Sequence, residues 1–229
     1  MIKALLFDVD GTLIDSLDDL VVANTKLMTN LNLTPLSREE VSRFIGKGAR
    51  VLVIRALNAR LMRAPTDGEI DHALGIYLRA MAEVDGQYSK LEPYVPEGLV
   101  RLKKLGFPMA VVTNKPHAIA EALLEKFQIR SFFDAVIGAD DVEHPKPAPD
   151  MLFLAASRVG ADINESAMIG DSMNDALAAQ NAKAHPLLLR TGFNEGIRID
   201  DWVKIHLPLT PIFDTMKELS DYLENVQRG

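Results

Sequence analysis

Two aspartates stand two positions apart near the start of the chain, in the segment Asp8-Val9-Asp10-Gly11-Thr12. In extended backbone, side chains two positions apart point to the same side, so both carboxylates face one way while Val9 faces the other. Carboxylates placed together can bind a cation, attack an electrophile or transfer a proton. Asp and Gly also favour turns for ordinary backbone reasons, so this segment alone fits a simple turn equally well.

Three later segments carry polar residues at the end of an apolar run or in a loop. They are Thr113-Asn114-Lys115, His144-Pro145-Lys146-Pro147-Ala148-Pro149 and Gly170-Asp171-Ser172-Met173-Asn174-Asp175. Ligands of open α/β sheets bind at the carboxyl ends of the strands. We therefore expect these segments to meet the first aspartate pair in one crevice.

Four carboxylates would share that crevice: Asp8, Asp10, Asp171 and Asp175. Without a counter-charge they would repel one another and raise each other's pKa values. A hard divalent cation removes this cost, and Mg²⁺ is the usual choice where a few carboxylates leave room for phosphate and water ligands. The sequence therefore predicts Mg²⁺ as the cofactor.

Other groups in the same segments suit an anionic ligand. Lys146 supplies a positive charge between two prolines, while Thr113 and Asn114 supply hydrogen-bond donors. Backbone amides of the turn at Gly11 and Thr12 are further candidates for binding the substrate. Acids, a metal, a lysine and small donors together suit phosphoryl transfer, in which positioning and charge neutralisation dominate.

The elements that position these groups are predicted from apolar runs. Five runs have the character of buried parallel strands: Ala4–Phe7, Met109–Thr113, Ala135–Ile137, Ala167–Ile169 and Leu187–Leu189. From the second run onward they alternate with helical patterns, at Ala118–Phe127, Pro149–Val159 and Asp175–Asn181, with a closing helix at Phe213–Leu223. This alternation predicts an α/β fold with a doubly wound, Rossmann-like parallel sheet.

The stretch between Ser16 and Pro93 contains no convincing strand. Its apolar residues follow helical spacing, and capping-box patterns occur at Ser16-x-x-Asp19, Ser37-x-x-Glu40 and Thr66-x-x-Glu69. We interpret this stretch as a small all-helical cap domain inserted after the first strand. The predicted division is residues 1–15 and 95–229 for the α/β catalytic core and residues 16–94 for the helical cap.

Composition excludes several classes of protein. The 229 residues include no cysteine, which excludes disulfides, thiolate metal sites and a Cys nucleophile. The formal net charge of −7 offers no global attraction for nucleic acid or an anionic membrane. Because there is neither a signal-peptide pattern nor an apolar run of roughly 20 residues, we expect a cytoplasmic protein. Its expected state is a monomer or homodimer with no nucleic-acid or membrane partner.

The segments, taken in order, resemble the motifs of the haloacid dehalogenase-like superfamily: Asp8-x-Asp10-Gly11-Thr12, Thr113-Asn114, Lys146 with its flanking prolines, and Gly170-Asp171-Ser172-x-x-Asp175. The resemblance spans almost the whole chain. It implies that Asp8 is the nucleophile, which forms an aspartyl-phosphate. Asp10 would be the general acid and then the base that activates water. Thr113 and Lys146 would bind phosphoryl oxygens and steady the nucleophile.

The resemblance also implies a metal site. The carboxylate of Asp8, the backbone carbonyl of Asp10 and Asp171 would hold Mg²⁺, and Asp175 would support the surroundings of the metal. Relatives that cleave carbon–halogen or carbon–phosphorus bonds lack an acid at the position of Asp10. The resemblance therefore favours a phosphatase or a phosphomutase.

The cap contains the segment Phe44-Ile45-Gly46-Lys47-Gly48-Ala49-Arg50, in which two glycines bracket a lysine. A tight loop here would bring Lys47 and Arg50 together, where they could meet a substrate carboxylate. Exposed charges on a helical surface are an equally good interpretation. The run Ile45–Leu57 and the core segments 111–116, 137–150 and 191–196 resemble bacterial phosphoglycolate phosphatases.

The resulting prediction is a Mg²⁺-dependent phosphomonoester hydrolase that acts on a small-molecule phosphate ester, with 2-phosphoglycolate favoured. Alternatives with the same chemistry are a sugar-phosphate phosphatase, a pyrophosphatase and a β-phosphoglucomutase-like enzyme. A non-catalytic regulatory protein on the same scaffold is a further alternative, because fold does not fix function. The presence of both Asp8 and Asp10 argues against it.

Overall fold

A six-stranded sheet and a separate two-stranded ribbon organise the chain in the computed structural model, which describes residues 1–84 and 86–228. The strands are β1 (Ala4–Phe7), β2 (Ile14–Asp15), β3 (Lys90–Leu91), β4 (Met109–Val112), β5 (Ala135–Ile137), β6 (Ser166–Gly170), β7 (His185–Leu189) and β8 (Ile212–Phe213). The helices are α1 (Leu17–Asn30), α2 (Arg38–Phe44), α3 (Gly48–Asn58), α4 (Asp67–Val84), α5 (Val95–Lys104), α6 (His117–Lys126), α7 (Asp150–Arg158), α8 (Met173–Ala182), α9 (Ile199–His206) and α10 (Met216–Arg228).

The large sheet has the strand order β5-β4-β1-β6-β7-β8, and its neighbouring strands are parallel. This confirms the predicted doubly wound α/β core. The chain builds the sheet to one side of β1 with β4 and β5, and then crosses to the other side with β6. The strand order therefore reverses between β1 and β6, and ligands of such sheets bind in the crevice at that reversal.

Helices cover both faces of the sheet because successive side chains of β1 point to opposite faces. Leu5 and Phe7 belong to a hydrophobic cluster shared with α5, α6 and α10, whereas Leu6 belongs to a second cluster shared with α7 and α8. Burial from both sides explains the uninterrupted apolar sequence of β1. It also holds the residues that follow Phe7 in a fixed position.

Helices α1 to α4 pack around a hydrophobic cluster of their own, which includes Leu27, Val53 and Tyr77. Two partly buried side chains from the core, Ile119 and Phe193, pack against this cluster. We call these four helices the cap. The exact division at residues 16–94 stays a prediction.

The chain passes into and out of the cap through the antiparallel ribbon of β2 and β3. Ile14 pairs with Leu91 and Asp15 pairs with Lys90. β3 corrects the prediction that no strand lies between Ser16 and Pro93. Two residues are too few to show a period in the sequence, and their partners lie far away along the chain.

Three helical elements differ from the sequence prediction. The closing helix begins at Met216, because Ile212 and Phe213 pair with β7 as a short edge strand. Helices α5 and α9 were not predicted. No helix in the described part of the chain has the length and apolar character needed to cross a bilayer.

One predicted capping box is wrong. Ser37 and Thr66 each form the reciprocal hydrogen bonds of a capping box with the glutamate three residues later. Ser16 makes no such bond. Asp19 is instead fully buried and accepts hydrogen bonds from the Tyr88 amide at 2.8 Å and from the Ser89 hydroxyl. This carboxylate fixes the segment that leaves the cap.

Candidate active site

The turn that follows β1 is closed around one backbone oxygen. The amides of residues 12 to 14 donate to the Val9 oxygen at 3.0 to 3.2 Å, and the Gly11 amide donates to the Ile14 oxygen at 2.8 Å. Gly11 has a φ of +86°, which glycine adopts without strain. Because the amides of Gly11 and Thr12 are used inside the turn, the prediction that they bind substrate is not supported.

Lys146 joins the aspartate that follows β1 to the one at the start of α8. Its Nζ donates to the Val112 oxygen and to Asp175 Oδ1, each at 2.7 Å, and lies 3.0 Å from Asp8 Oδ1. The Lys146 side chain is 1% exposed. Burial alone would lower its pKa, but Asp175 and Asp8 hold the pKa above its ordinary value. The ammonium group is therefore charged and held in place by three acceptors.

Asp171 directly follows β6, and both of its carboxylate oxygens accept hydrogen bonds. The Thr12 hydroxyl donates to Oδ1 and the Phe193 amide donates to Oδ2, each at 2.7 Å. Gly192 packs so closely that a Cβ there would lie 2.1 Å from Oδ2. Thr12 is fully buried, so its hydroxyl orients a carboxylate and does not face a substrate.

Asp175 also uses both of its oxygens within the protein. Oδ2 accepts from the Ser172 amide at 3.1 Å and from the Ser172 hydroxyl at 2.7 Å, while Oδ1 accepts from Lys146. A Cβ on Gly170 would lie 2.2 Å from Asp175 Cγ, so the backbone of β6 packs directly on this side chain. Asp175 is thus placed to position Lys146 and to cap α8.

Three carboxylates come together without an equal number of positive charges. One oxygen each from Asp8, Asp171 and Asp175 lies within 4.8 Å of the others. Burial, with repulsion from Asp175 and Asp10, raises the pKa of Asp8 to about 7 against the opposing effect of Lys146. Burial and the charges of Asp175 and Asp8 raise the pKa of Asp171 well above its usual range. A hard cation would relieve this repulsion, and carboxylate oxygens are the ligands such cations prefer.

The residues after β4 line the opposite wall of the crevice. Thr113 is 1% exposed, and its hydroxyl accepts the Lys115 amide at 3.2 Å. Asn114 Nδ2 donates to the backbone oxygens of Gly46, in the cap, and Lys146, each at 2.9 Å. Both protons of this amide are used, so Asn114 joins the cap to the core and is not a free donor for substrate as predicted.

The cap cations proposed from the sequence lie away from the crevice. Lys47 pairs with Glu195 at 3.0 Å, and Arg50 pairs with Asp71 at 2.6 Å. Neither residue lines the pocket in the described part of the chain. The cause is the orientation of α3, which turns Leu52 toward the pocket and leaves the Arg50 side chain 48% exposed. The predicted contact of this pair with a substrate carboxylate is therefore not supported.

The pocket between cap and core has a mainly apolar wall on the cap side, formed by Leu20, Ile45, Leu52, Tyr77, Leu78 and Met81. On the core side, Lys115 lines the pocket with a side chain that is 4% exposed. Its Nζ lies 3.4 Å from Asp10 Oδ1. Sequence analysis gave Lys115 no role, although its place directly after Thr113 and Asn114 is a signal that could have identified it.

Comparison with known proteins identifies the family. The family model described as haloacid dehalogenase-like hydrolase matches residues 5–188. A phosphoglycolate phosphatase of Psychrobacter arcticus is 37% identical over 226 residues, which cover 96% of this chain and 95% of that protein. A phosphoglycolate phosphatase of Colwellia psychrerythraea is 36% identical over 205 residues, which cover 87% and 89%. A crystal structure of a predicted phosphoglycolate phosphatase from Haemophilus somnus matches with a TM-score of 0.87 at 30% identity, covering 98% of each chain. The chain therefore belongs to the haloacid dehalogenase-like hydrolase family.

Proposed function

We propose that this protein is a Mg²⁺-dependent phosphomonoesterase that acts through an aspartyl-phosphate on Asp8, with 2-phosphoglycolate as its substrate. The observation that carries the proposal is the position of Asp8. It follows the central strand at the reversal of strand order, 3.0 Å from a buried lysine and close to two further carboxylates. The relatives named phosphoglycolate phosphatase support the choice of substrate.

The donor set fits Mg²⁺. The carboxylates of Asp8 and Asp171 and the backbone carbonyl of Asp10 would hold the ion, and Asp175 would keep Lys146 in position beside it. When bound, Mg²⁺ would neutralise charge on the aspartates and on the phosphoryl oxygens. The proposal accounts for the crowding of acids in a buried crevice, which costs free energy when no cation is bound.

In the first step, an oxygen of the Asp8 carboxylate forms a bond to phosphorus while the bond from phosphorus to the ester oxygen breaks. Lys146 favours the ionised form of Asp8 and draws charge from the phosphoryl group. Asp10 gives its proton to the departing oxygen, which leaves as an alcohol. Asp10 Oδ1 suits this role, because it is buried and has no hydrogen-bond partner among the described residues.

In the second step, Asp10 takes a proton from water as the water oxygen bonds to phosphorus. The bond between phosphorus and Asp8 breaks, which releases inorganic phosphate and restores the carboxylate. The cap covers the crevice with apolar side chains, so the first step is shielded from bulk water. Opening of the cap would then release the products.

The test is phosphate release from 2-phosphoglycolate and from p-nitrophenyl phosphate, with Mg²⁺ or with EDTA. We expect activity with Mg²⁺, loss of activity in EDTA and recovery on adding Mg²⁺ back. Asp8→Asn should lower kcat by a factor on the order of 10⁴ or more, because the nucleophile is removed. Asp71→Asn is the matched control, since this aspartate lies on the cap surface with a 65% exposed side chain.

Two outcomes would contradict the proposal. Equal rates for the wild type and Asp8→Asn, or activity that is unchanged in EDTA, would refute the proposed mechanism. Conversion of β-glucose 1-phosphate to glucose 6-phosphate without phosphate release would identify a mutase. Higher kcat/KM for hexose phosphates or pyrophosphate than for 2-phosphoglycolate would correct the substrate and leave the mechanism in place.

A further inference from the structure

We propose that Lys115, in the core, recognises the carboxylate of the substrate and so selects acidic phosphate esters. This inference rests on the proposed function, because it concerns the group that leaves when the ester is hydrolysed. It replaces the cap pair Lys47 and Arg50 as the source of selectivity for acidic esters.

The first argument is the distribution of charge around the pocket. Among the described residues that line it, Lys115 is the one lysine or arginine, and the cap side is mainly apolar. Lys146, the other buried lysine of the site, is held by Val112, Asp8 and Asp175. A carboxylate that enters this pocket beside the phosphate would be costly to bury without a cation, and Lys115 is placed to supply one.

The second argument is the position of Lys115 relative to the departing oxygen. Its Nζ is 3.4 Å from Asp10 Oδ1, the atom proposed to carry the proton to that oxygen. In 2-phosphoglycolate the carboxylate carbon is two bonds from the ester oxygen. A substrate whose ester oxygen meets Asp10 therefore brings its carboxylate into the reach of the same ammonium group.

The third argument is that the protein fixes Lys115 and shields it from water. The Lys115 amide donates to the Thr113 hydroxyl at 3.2 Å, and the Lys115 carbonyl accepts from the Ala139 amide at 3.0 Å. With a side chain that is 4% exposed, its contact with a carboxylate is stronger than the same contact in water. Asp10 is near enough for an ion pair, which holds the ammonium group beside the proposed proton carrier.

The test compares 2-phosphoglycolate with ethyl phosphate, in which a methyl group replaces the carboxylate. Lys115→Met keeps the length of the side chain and removes its charge. We expect kcat/KM to fall roughly 10- to 100-fold for 2-phosphoglycolate, as for loss of a charged hydrogen bond, and by less than about threefold for ethyl phosphate. Arg50→Met is the matched control, for which both substrates should change by less than about threefold. Lys47→Met should change both substrates equally, because Lys47 pairs with Glu195 between the cap and the core.

A measurement on the wild type covers the case in which Lys115→Met does not fold. The inhibition constant of 3-phosphonopropionate, a non-hydrolysable analogue with the carboxylate, is compared with that of propylphosphonate, which lacks it. We expect the first to bind at least about tenfold more tightly. Equal inhibition constants would overturn the proposal.

The remaining outcomes separate this inference from the proposed function. Equal losses on both esters in Lys115→Met would show that Lys115 acts through Asp10, and the recognition of the carboxylate would be refuted. Suppose instead that kcat/KM falls for 2-phosphoglycolate alone in Lys47→Met or Arg50→Met, while Lys115→Met keeps the wild-type values. The cap, and not Lys115, would then recognise the carboxylate. If the wild type hydrolyses neither ester, or Asp8→Asn is as active as the wild type, the proposed function fails.

Discussion

The hydroxyl of Thr12 donates a 2.7 Å hydrogen bond to Asp171 Oδ1, although 159 positions separate the two residues in the chain. β1 and β6 are neighbours in the sheet, so the turn after one strand lies beside the end of the other. Thr12 thus orients Asp171, which is a proposed ligand of the metal. Loss of a group that orients a metal ligand in this way typically lowers metal affinity or activity by about 10- to 100-fold.

We expect Thr12→Val to weaken the binding of Mg²⁺, because Asp171 Oδ1 loses the donor that orients it. The Mg²⁺ concentration for half-maximal activity should rise about tenfold or more. Thr12→Ser, which restores a hydroxyl, should recover most of the affinity. Thr25→Val is a control, since its hydroxyl donates to Val21 within α1. An unchanged Mg²⁺ requirement in Thr12→Val would show that this hydrogen bond has no part in metal binding.

Gly192→Ala should displace Asp171. The added Cβ would lie 2.1 Å from Asp171 Oδ2 and 2.7 Å from the Gly11 Cα, so neither neighbour can avoid it by a small side-chain movement. We expect a loss in kcat/KM on the order of 100-fold, as for a misplacement of about 1 Å at a reacting centre. Gly68→Ala is the control, because its added Cβ would meet no described heavy atom within 4 Å beyond its chain neighbours and the backbone of its own helix. Activity within twofold of the wild type in Gly192→Ala would mean that the site tolerates a shifted Asp171.

Glu195→Gln should weaken the contact between the cap and the core. Glu195 forms ion pairs with Arg55 at 2.6 Å and with Lys47 at 3.0 Å, and both of these cations belong to the cap. If the covered pocket is the state that binds substrate, a smaller population of that state raises the apparent KM by the same factor. We expect a rise of roughly three- to tenfold, measured by steady-state kinetics. Glu39→Gln, which removes the exposed i,i+4 pair with Arg43, should leave KM unchanged.

Stability should depend on pH through Glu92. Burial, with the nearby charge of Asp15, raises the pKa of Glu92 from 4.5 to about 7 against the effect of Lys90. The folded state therefore binds more protons than the unfolded state between these pH values, and the free energy of unfolding falls as pH rises through that window. Glu92→Gln should remove this contribution and stabilise the protein above pH 7 by up to about 3 kcal/mol.

The measurement for Glu92 is the urea midpoint at pH 5, 6, 7 and 8. The midpoints of the wild type and Glu92→Gln should diverge as the pH rises. Glu143→Gln serves as the control, because its side chain is 86% exposed. Parallel curves for the wild type and Glu92→Gln would show that this carboxyl is not buried in solution.

The core and the main acids could be predicted because their signals are local. β1 is an apolar run that Asp8 follows directly, and strands buried on both faces lack polar residues. The same reasoning located Asp171 after β6. In each case an apolar strand directly precedes the acid in the sequence. The carboxyl end of a parallel strand lies at the ligand-binding edge of the sheet, so the strand alone predicts where the acid lies.

The partners of charged side chains could not be predicted, because they come from distant parts of the chain. Lys47 and Glu195 are 148 positions apart, and no local pattern joins them. Asp19 shows the same limit within the cap: its spacing from Ser16 is that of a capping box, but donors at 86, 88 and 89 use the carboxylate. Lys115 follows Thr113 and Asn114 directly, which is a local signal, but the pocket that it faces is completed by cap side chains from distant parts of the chain.

The ribbon of β2 and β3 has a consequence for how specificity is divided. The two ends of the cap lie on paired strands about 5 Å apart, so the cap enters and leaves the core at neighbouring positions. Another helical block with the same end spacing could be grafted between Asp15 and Lys90 without rerouting the sheet. The grafted cap would change the shape of the pocket, because the cap supplies its apolar wall. The preference for an acidic leaving group would be unchanged, because Lys115 belongs to the core.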